Sequence, residues 1–467
     1  MSGIAGVAHQ GESALVTRML EKIKFRGRGQ PRIVERPGAT LGMVANTPDS
    51  VKPPSSYFHR AVWDGPRPPL PMEEQVRQAR NAFSLASGNY NGIFLARDAL
   101  GIRPLYYGRT ANGTLCFASE VKALLVATDK VHEFQPGYWV DNENIPHQFF
   151  SLQVAPPVDL PMDALVQRLH LLLEQAVLRR IDGLVMGCWL SGGLDSSAVA
   201  ALVRPHVDKL HTFAGGLDGA PDLQYAAEVA EFLHTDHHEV LVSLQGLLKA
   251  LPAVIFHLES FDALLVRSAL VNYMVGETAS NFVGSAFSGE GGDELFGGYD
   301  YLKKIPSKKL PLELVDIIGR LHNTALQRVD RSASAHGLVI YVPLLDLDVV
   351  NFTLQVPPEL KIKHDGKVVE KYIFRLAIQG LLPDDILWRP KVKFWQGAGI
   401  GELLQKHADQ TITETDFARE RKLPNGWELN TKEELLYYRI FKEQFPGIEE
   451  LDWMGRTKGA PQAKKEM

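Results

Sequence analysis

Two acidic, glycine-rich segments carry the chemistry of this 467-residue chain. The first is Leu190-Ser191-Gly192-Gly193-Leu194-Asp195-Ser196-Ser197, and the second runs Ser288-Gly289-Glu290-Gly291-Gly292-Asp293-Glu294-Leu295-Phe296-Gly297-Gly298-Tyr299. Glycines let backbone N–H groups approach an anion closely, and a helix start favours negative charge. Asp195 at such a turn would repel phosphate unless a cation lies between them. The two segments therefore point to nucleotide phosphates with Mg²⁺, and Asp293 supplies a second carboxylate for the metal. No GxxxxGK[ST] occurs in the chain, so this is not a Walker loop.

The flanking patterns supply the elements that must hold these groups. The apolar run from Leu184 to Leu190 reads as a buried strand, and Ala198 to Val203 as a helix. The second segment follows a strand, Phe282 to Phe287. Between the two, Leu210 to Leu217 reads as a strand, Ala220 to Leu233 as a helix, His238 to Val242 as a strand and Leu244 to Glu259 as a helix. Such alternation predicts a parallel sheet with helices on both faces. A helix over Met162 to Arg180 precedes it, with Leu165, Leu169, Leu172 and Ala176 on one face. From Lys308 the pattern is mainly helical. Upstream, Ser2 to Val7, Ala39 to Val44, Gly92 to Arg97 and Leu115 to Ala118 read as short strands between turn signals. The proline-rich stretch from Pro53 to Pro71 reads as an irregular loop. A boundary falls near residues 153–161, where Ala155-Pro156-Pro157 lies.

Composition bounds the function classes. A formal net charge of −5 argues against a chain-wide nucleic-acid surface. Cys116 and Cys188 are the only two cysteines and stand far apart, which excludes a disulfide framework and fits a reducing cytoplasm. No apolar run has the length of a membrane span, and no secretory leader opens the chain. The polar, basic end after Trp453 is expected to be disordered.

The two glycine-rich segments resemble the synthetase domain of the asparagine synthetases and the related β-lactam synthetases. SGGLDSS resembles the pyrophosphate loop of ATP pyrophosphatases. The resemblance implies that Leu190, Ser191, Ser288 and Gly289 bind the nucleotide. It places Gly215 where an adenine-contacting residue stands. Ser191, Gly192, Gly193, Asp195 and Ser196 would cradle pyrophosphate, with Asp195 and Asp293 on Mg²⁺. Glu370-Lys371-Tyr372-Ile373-Phe374-Arg375 resembles the family's EKHILR, and Trp388-Arg389-Pro390-Lys391 its WRxK. Lys371 and Lys391 would offset charge on the triphosphate and the transition state. Glu290 is the candidate to accept a proton from an attacking amine. His257 to Ser268 resembles HIETYDVTTIRAS, which implies a substrate pocket with Arg267, Asp262 and Glu259, Arg267 holding a carboxylate. The pocket's two threonines are replaced by Leu264 and Leu265, and EARVPFLD becomes Val339 to Asp346 without its arginine.

The start of the chain resembles class II glutamine amidotransferase domains in Ser2 to Val7, in Arg97 to Tyr106 and in Phe117 to Leu124. The departures are chemical. Ser2 stands where the family has a cysteine, whose thiolate is the far better nucleophile. RHRGPD is only partly matched by Lys24-Phe25-Arg26-Gly27-Arg28-Gly29. NGEIYN corresponds to Trp63-Asp64-Gly65-Pro66, without Asn-Gly, and SDCE has no counterpart. A domain that no longer hydrolyses glutamine is expected.

These readings give an α/β chain of two domains. Residues 1–153 form a degenerate glutamine amidotransferase-like domain, expected as an Ntn-hydrolase-like α+β sandwich. Residues 160–450 form an ATP-pyrophosphatase-like parallel sheet with helices and a helical carboxy-terminal part, and 454–467 form a polar tail. The expected activity is ATP- and Mg²⁺-dependent amide formation through an acyl-adenylate. The partners are a small-molecule carboxylate and ammonia or an amine, with no nucleic acid and no membrane; a homodimer is compatible. A β-lactam synthetase-like amine condensation is the alternative within that chemistry. A regulatory protein that has lost catalysis is the alternative outside it, against which stand Asp195, Glu290, Asp293, Lys371 and Lys391.

Overall fold

The computed structural model describes residues 2–45, 61–64, 76, 79–80, 82–89, 92–140, 145–390 and 397–458. The amino-terminal part holds two antiparallel sheets. One has six strands in the order Arg32–Arg36, Ala39–Val44, Gly3–Val7, Leu115–Ala118, Tyr106–Arg109 and His132–Glu133. The other has five, Pro146–Gln148, Tyr138–Val140, Gly92–Arg97, Ser84–Asn89 and Ala61–Asp64. Alternation along Gly3–Val7 explains the layering. Ile4 meets Val62, Ala86 and Leu95 between the sheets, whereas Ala5 and Val7 face Val16, Met19 and Leu20 of the helix Ser13–Glu21. The strand Ala61–Asp64 lies within the stretch read as a proline-rich loop. The prolines flank it and leave Ala61 to Trp63 free to pair with Ser84–Asn89.

After the helix Met162–Leu178 the pattern changes to a five-stranded sheet, every neighbouring pair parallel. Its order is Asp236–Leu241, Lys209–Gly216, Val185–Trp189, Ser285–Phe287 and Val339–Tyr341. Parallel neighbours need crossovers, and the helices Leu194–Val203, Pro221–Leu233, Leu244–Leu258 and Ala263–Ala279 lie between successive strands in the chain. The chain steps from Val185–Trp189 to one side first, then returns to its other side with Ser285–Phe287. This reversal makes a crevice beyond the carboxyl ends of those two strands, the usual ligand position in open α/β sheets. Both glycine-rich segments begin there, because Cys188 and Phe287 are register partners. The last strand, Val339–Tyr341, falls in the stretch read as helical; three residues carry too little periodicity to show it.

The two parts meet over a buried ion cluster. Arg26 is fully buried and bonds Glu120 Oε1 at 2.7 Å and Asp330 Oδ2 at 2.8 Å. Arg331 donates to Glu259 Oε2 at 3.1 Å and lies 3.3 Å from Glu120. The carboxy-terminal segment is not free at its start. Arg456 pairs with Glu434, Thr457 N and Oγ1 donate to Asp262 at 2.9 and 2.8 Å, and Lys458 Nζ donates to Asp316 at 2.9 Å. These pairs correct the expectation of a disordered end for residues 456 to 458.

Candidate active site

The strand Val185–Trp189 ends in Leu190, whose N–H donates to Phe213 O at 2.8 Å. Ser191 to Gly193 then turn the chain into the helix Leu194–Val203. Gly192 adopts φ +66°, and a Cβ there would lie 2.5 Å from Tyr225 Cβ, so glycine is required by conformation and by space. The turn is braced from within. Ser191 and Ser196 hydroxyls are 3.0 Å apart, and Ser196 Oγ donates to Gly193 O at 3.1 Å. No side chain caps this helix, so its first N–H groups remain available to an anion.

The second loop interlocks with the first. A Cβ on Gly289 would lie 2.7 Å from Ser196 N, and one on Gly292 would fall on the Asp195 carboxylate. Contact this close brings Asp195 and Asp293 onto one cation. Lys371 Nζ is 2.6 Å from Asp195 Oδ2 and 2.5 Å from Asp293 Oδ1, with the lysine 2% exposed. Lys371 holds φ +56°, a conformation unfavourable for a side-chain-bearing residue, which its two ion pairs help to maintain. The carboxylates thus converge on a point that suits positive charge, and their all-oxygen donor set fits Mg²⁺. Among the described residues no group of three His, Cys, Asp or Glu could hold a metal.

These loops open into a cavity of about 680 Å³. Leu190, Ser191, Asp195, Ser196, Gly215, Ser288, Gly289, Glu290 and Asp293, nine of the residues singled out from sequence, line it. Gly193 and Lys371 line a smaller adjoining space with Arg375 and Arg389. Arg389 is itself anchored, donating to Gly192 O at 3.0 Å and Asp222 Oδ1 at 2.8 Å. Lys391, and the aromatic stretch through Gln396, lie outside the described residues. Glu290 forms an ion pair with Arg328, a cavity residue without any motif signal. Glu294 was also not singled out. It is buried, accepts from Tyr299 Oη, and has its pKa pushed up to about 7 by burial and then by the charge of Asp293.

The three residues expected to bind the acyl substrate are engaged with other parts of the chain in this structure. Arg267 lines neither cavity; its Nε donates to Glu433 Oε1 at 2.7 Å and its Nη2 to Glu433 Oε2. Asp262 caps the helix Ala263–Ala279 through Leu265 N at 3.0 Å and receives Thr457. Glu259 accepts from Val121 N and Lys122 N at 3.1 and 2.7 Å and pairs with Arg331. Each carboxylate or guanidinium is buried, and a buried charge is retained only when paired. Leu264 and Leu265 do line the large cavity, with Ser268, Asn272 and Val275 of the same helix.

In the amino-terminal part, Ser2 O accepts from Arg26 Nε at 2.9 Å, and Ser2 lines neither cavity. Arg26, in the segment resembling RHRGPD, has its guanidinium turned into the ion cluster between the two parts.

Comparison with known proteins follows this division. The family described as asparagine synthase matches residues 168–316 and 313–459, and the glutamine amidotransferase domain matches residues 75–156. The chain is similar to a probable asparagine synthetase [glutamine-hydrolyzing] of Schizosaccharomyces pombe, 35% identical over 390 residues, covering 76% of this chain and 70% of that protein. A probable asparagine synthetase [glutamine-hydrolyzing] of Dictyostelium discoideum is 33% identical over 419 residues, covering 82% and 75%. The solved NMN synthetase of Francisella tularensis aligns at 17% identity with a TM-score of 0.22, covering 50% of this chain and 98% of that one, too loosely to bear on function.

Proposed function

The chain belongs to the asparagine synthase family, and on that premise we propose that it is an ATP-dependent amide-forming ligase working without glutamine. In this reading a substrate carboxylate oxygen attacks the α-phosphorus of ATP. The bond from that phosphorus to the bridging oxygen breaks, pyrophosphate leaves, and an acyl-adenylate forms. Ammonia then attacks the acyl carbon, AMP departs with the bonding electrons, and the surplus proton passes to a base. The observation that carries the reading is the convergence of Asp195 and Asp293 on the Lys371 ammonium beside the start of the helix Leu194–Val203.

The residues divide the work. The turn from Ser191 to Ser196 offers N–H and hydroxyl donors to phosphate. Asp195 and Asp293 would hold Mg²⁺, which would neutralise charge on the pyrophosphate oxygens. Lys371 keeps the two carboxylates together and places positive charge beside the leaving group. Glu290 faces the same cavity and, held by Arg328, is the base positioned for the amine proton. Lys391 belongs to the same charge-offsetting set by its WRxK setting.

Independence of glutamine rests on the amino-terminal half. Ser2 replaces the family's cysteine, Arg26 serves the ion cluster, and the amidotransferase match covers only residues 75–156. The test supplies ATP, Mg²⁺ and aspartate with either ammonium or glutamine. AMP and pyrophosphate are expected in equal amounts with ammonium, with no glutamate released from glutamine. Turnover is lost in Asp195→Ala and Asp293→Ala while the circular dichroism spectrum is kept. ADP and phosphate as products would overturn the assignment.

A further inference from the structure

One wall of the large cavity is a single face of the helix Ala263–Ala279. Leu264, Leu265, Ser268, Asn272 and Val275 line it, and their spacing of three or four residues puts them in one stripe. The two polar members are the unusual ones. Ser268 is 3% exposed and Asn272 is 7% exposed. Among the described residues neither side chain has a hydrogen-bond partner. Their polar atoms are not sealed off but open onto the cavity, where a ligand can reach donors and acceptors that the protein itself leaves unpaired.

The neighbours say which ligand. A Cβ on Gly215 would lie 2.6 Å from Val271 Cγ1 and 2.7 Å from Val275 Cγ2. Asn272 therefore stands at the level of Gly215, at the carboxyl end of the strand Lys209–Gly216. Trp189, Phe213, Ala214 and Val275 make the surroundings apolar and close to the phosphate turn that begins at Ser191. Leu264 and Leu265 lie about two helical turns away, roughly 10 Å at 1.5 Å per residue. An apolar part of the cavity next to the phosphate turn, with a carboxamide in its wall, suits a nucleobase rather than a small polar acid.

We propose that Asn272 selects the nucleotide by pairing its carboxamide with the base edge. An amide presents a donor and an acceptor side by side. Adenine matches them with its exocyclic amine next to a ring nitrogen. Asn272 is thus a specificity residue for the nucleotide of the ligase proposed above, and the inference rests on that reading's placement of ATP in this cavity.

The test measures equilibrium binding by calorimetry, without turnover, using a non-cleavable α,β-methylene analogue of ATP. Its counterpart is the same analogue of purine riboside triphosphate, which lacks the exocyclic amine. Wild-type protein is expected to prefer the adenine analogue by about 10- to 100-fold, the range of a buried carboxamide pair. Asn272→Leu is expected to bring the two affinities within about threefold, with the purine riboside analogue binding as tightly as before. Leucine is the better helix former, so the fold survives the change. Equal affinities in wild-type protein overturn the proposal, as does a preference that persists in Asn272→Leu or that disappears in Ser268→Ala instead. In each of those results the nucleotide still binds, and the ligase reading stands. Absence of binding by either analogue overturns both.

Discussion

Glu294 shows how much a single burial can alter a site. Its carboxyl sits beside Asp293 and the Tyr299 hydroxyl, buried in the cavity wall, with its pKa pushed up to about 7. In the unfolded chain a glutamate loses its proton near pH 4.3. Between that value and about pH 7 the folded state binds more protons than the unfolded one, so stability falls as pH rises across this window. Glu294→Gln removes the penalty. The variant is expected to match wild type at pH 4 and to exceed it at pH 8 by on the order of 1–3 kcal/mol, read as urea unfolding midpoints at both pH values. A stability difference that does not change with pH would show that Glu294 is not the titrating group. Burial acts in the same direction on the two cysteines. Cys116 is buried and its thiol is pushed up to about 12 by burial, which keeps it unreactive near neutrality.

At the scale of elements, the site is made by two loops that fit only because the second has glycine where it crosses the first. Gly289 approaches Ser196 N, Gly292 the Asp195 carboxylate, and Gly298 both Asp293 and the Lys371 side chain. Gly292 begins the short helix Gly292–Phe296, where alanine would be favourable on propensity alone. The clash with Asp195 decides against it. Gly292→Ala is expected to displace Asp195, to reduce turnover by at least about a hundredfold, and to leave the melting temperature within a few degrees of wild type. Pyrophosphate release and differential scanning fluorimetry measure the two effects. Near-normal turnover would mean that Asp195 need not stand where it does.

The whole molecule depends on the ion cluster between its two parts. Arg26, Glu120, Lys122, Glu259, Asp330 and Arg331 are all buried, and they come from both halves of the chain. Removing one cation unbalances the cluster: without Arg26, Glu120 keeps Lys122 and Arg331, and Asp330 keeps only the longer contacts to Arg103 and Arg331. Arg26→Ala is expected to cost about 3–5 kcal/mol and to expose the junction to limited proteolysis. Unchanged urea unfolding and an unchanged digestion pattern would show that the junction is held by its apolar contacts instead. No helix among the described residues is long and apolar enough to cross a membrane.

What was legible in the chain was local. The strands Val185–Trp189 and Lys209–Gly216, the helix between them and the two glycine-rich turns follow from short-range periodicity and from the conformations that glycine allows. Motif residues brought nine cavity-lining groups to one place because each loop is tied to its own strand end and the strands are neighbours. Partner choice was not legible. Arg267 carries the same local signature whether it meets a ligand or Glu433, 166 residues further on. Arg456, Thr457 and Lys458 read as a loose polar end until Glu434, Asp262 and Asp316 are seen opposite them. Asn272 carries no signal of its own until the cavity is present beside it. A buried polar group is settled by whatever charge or opening the rest of the chain delivers to it, and that delivery is a property of the tertiary structure alone.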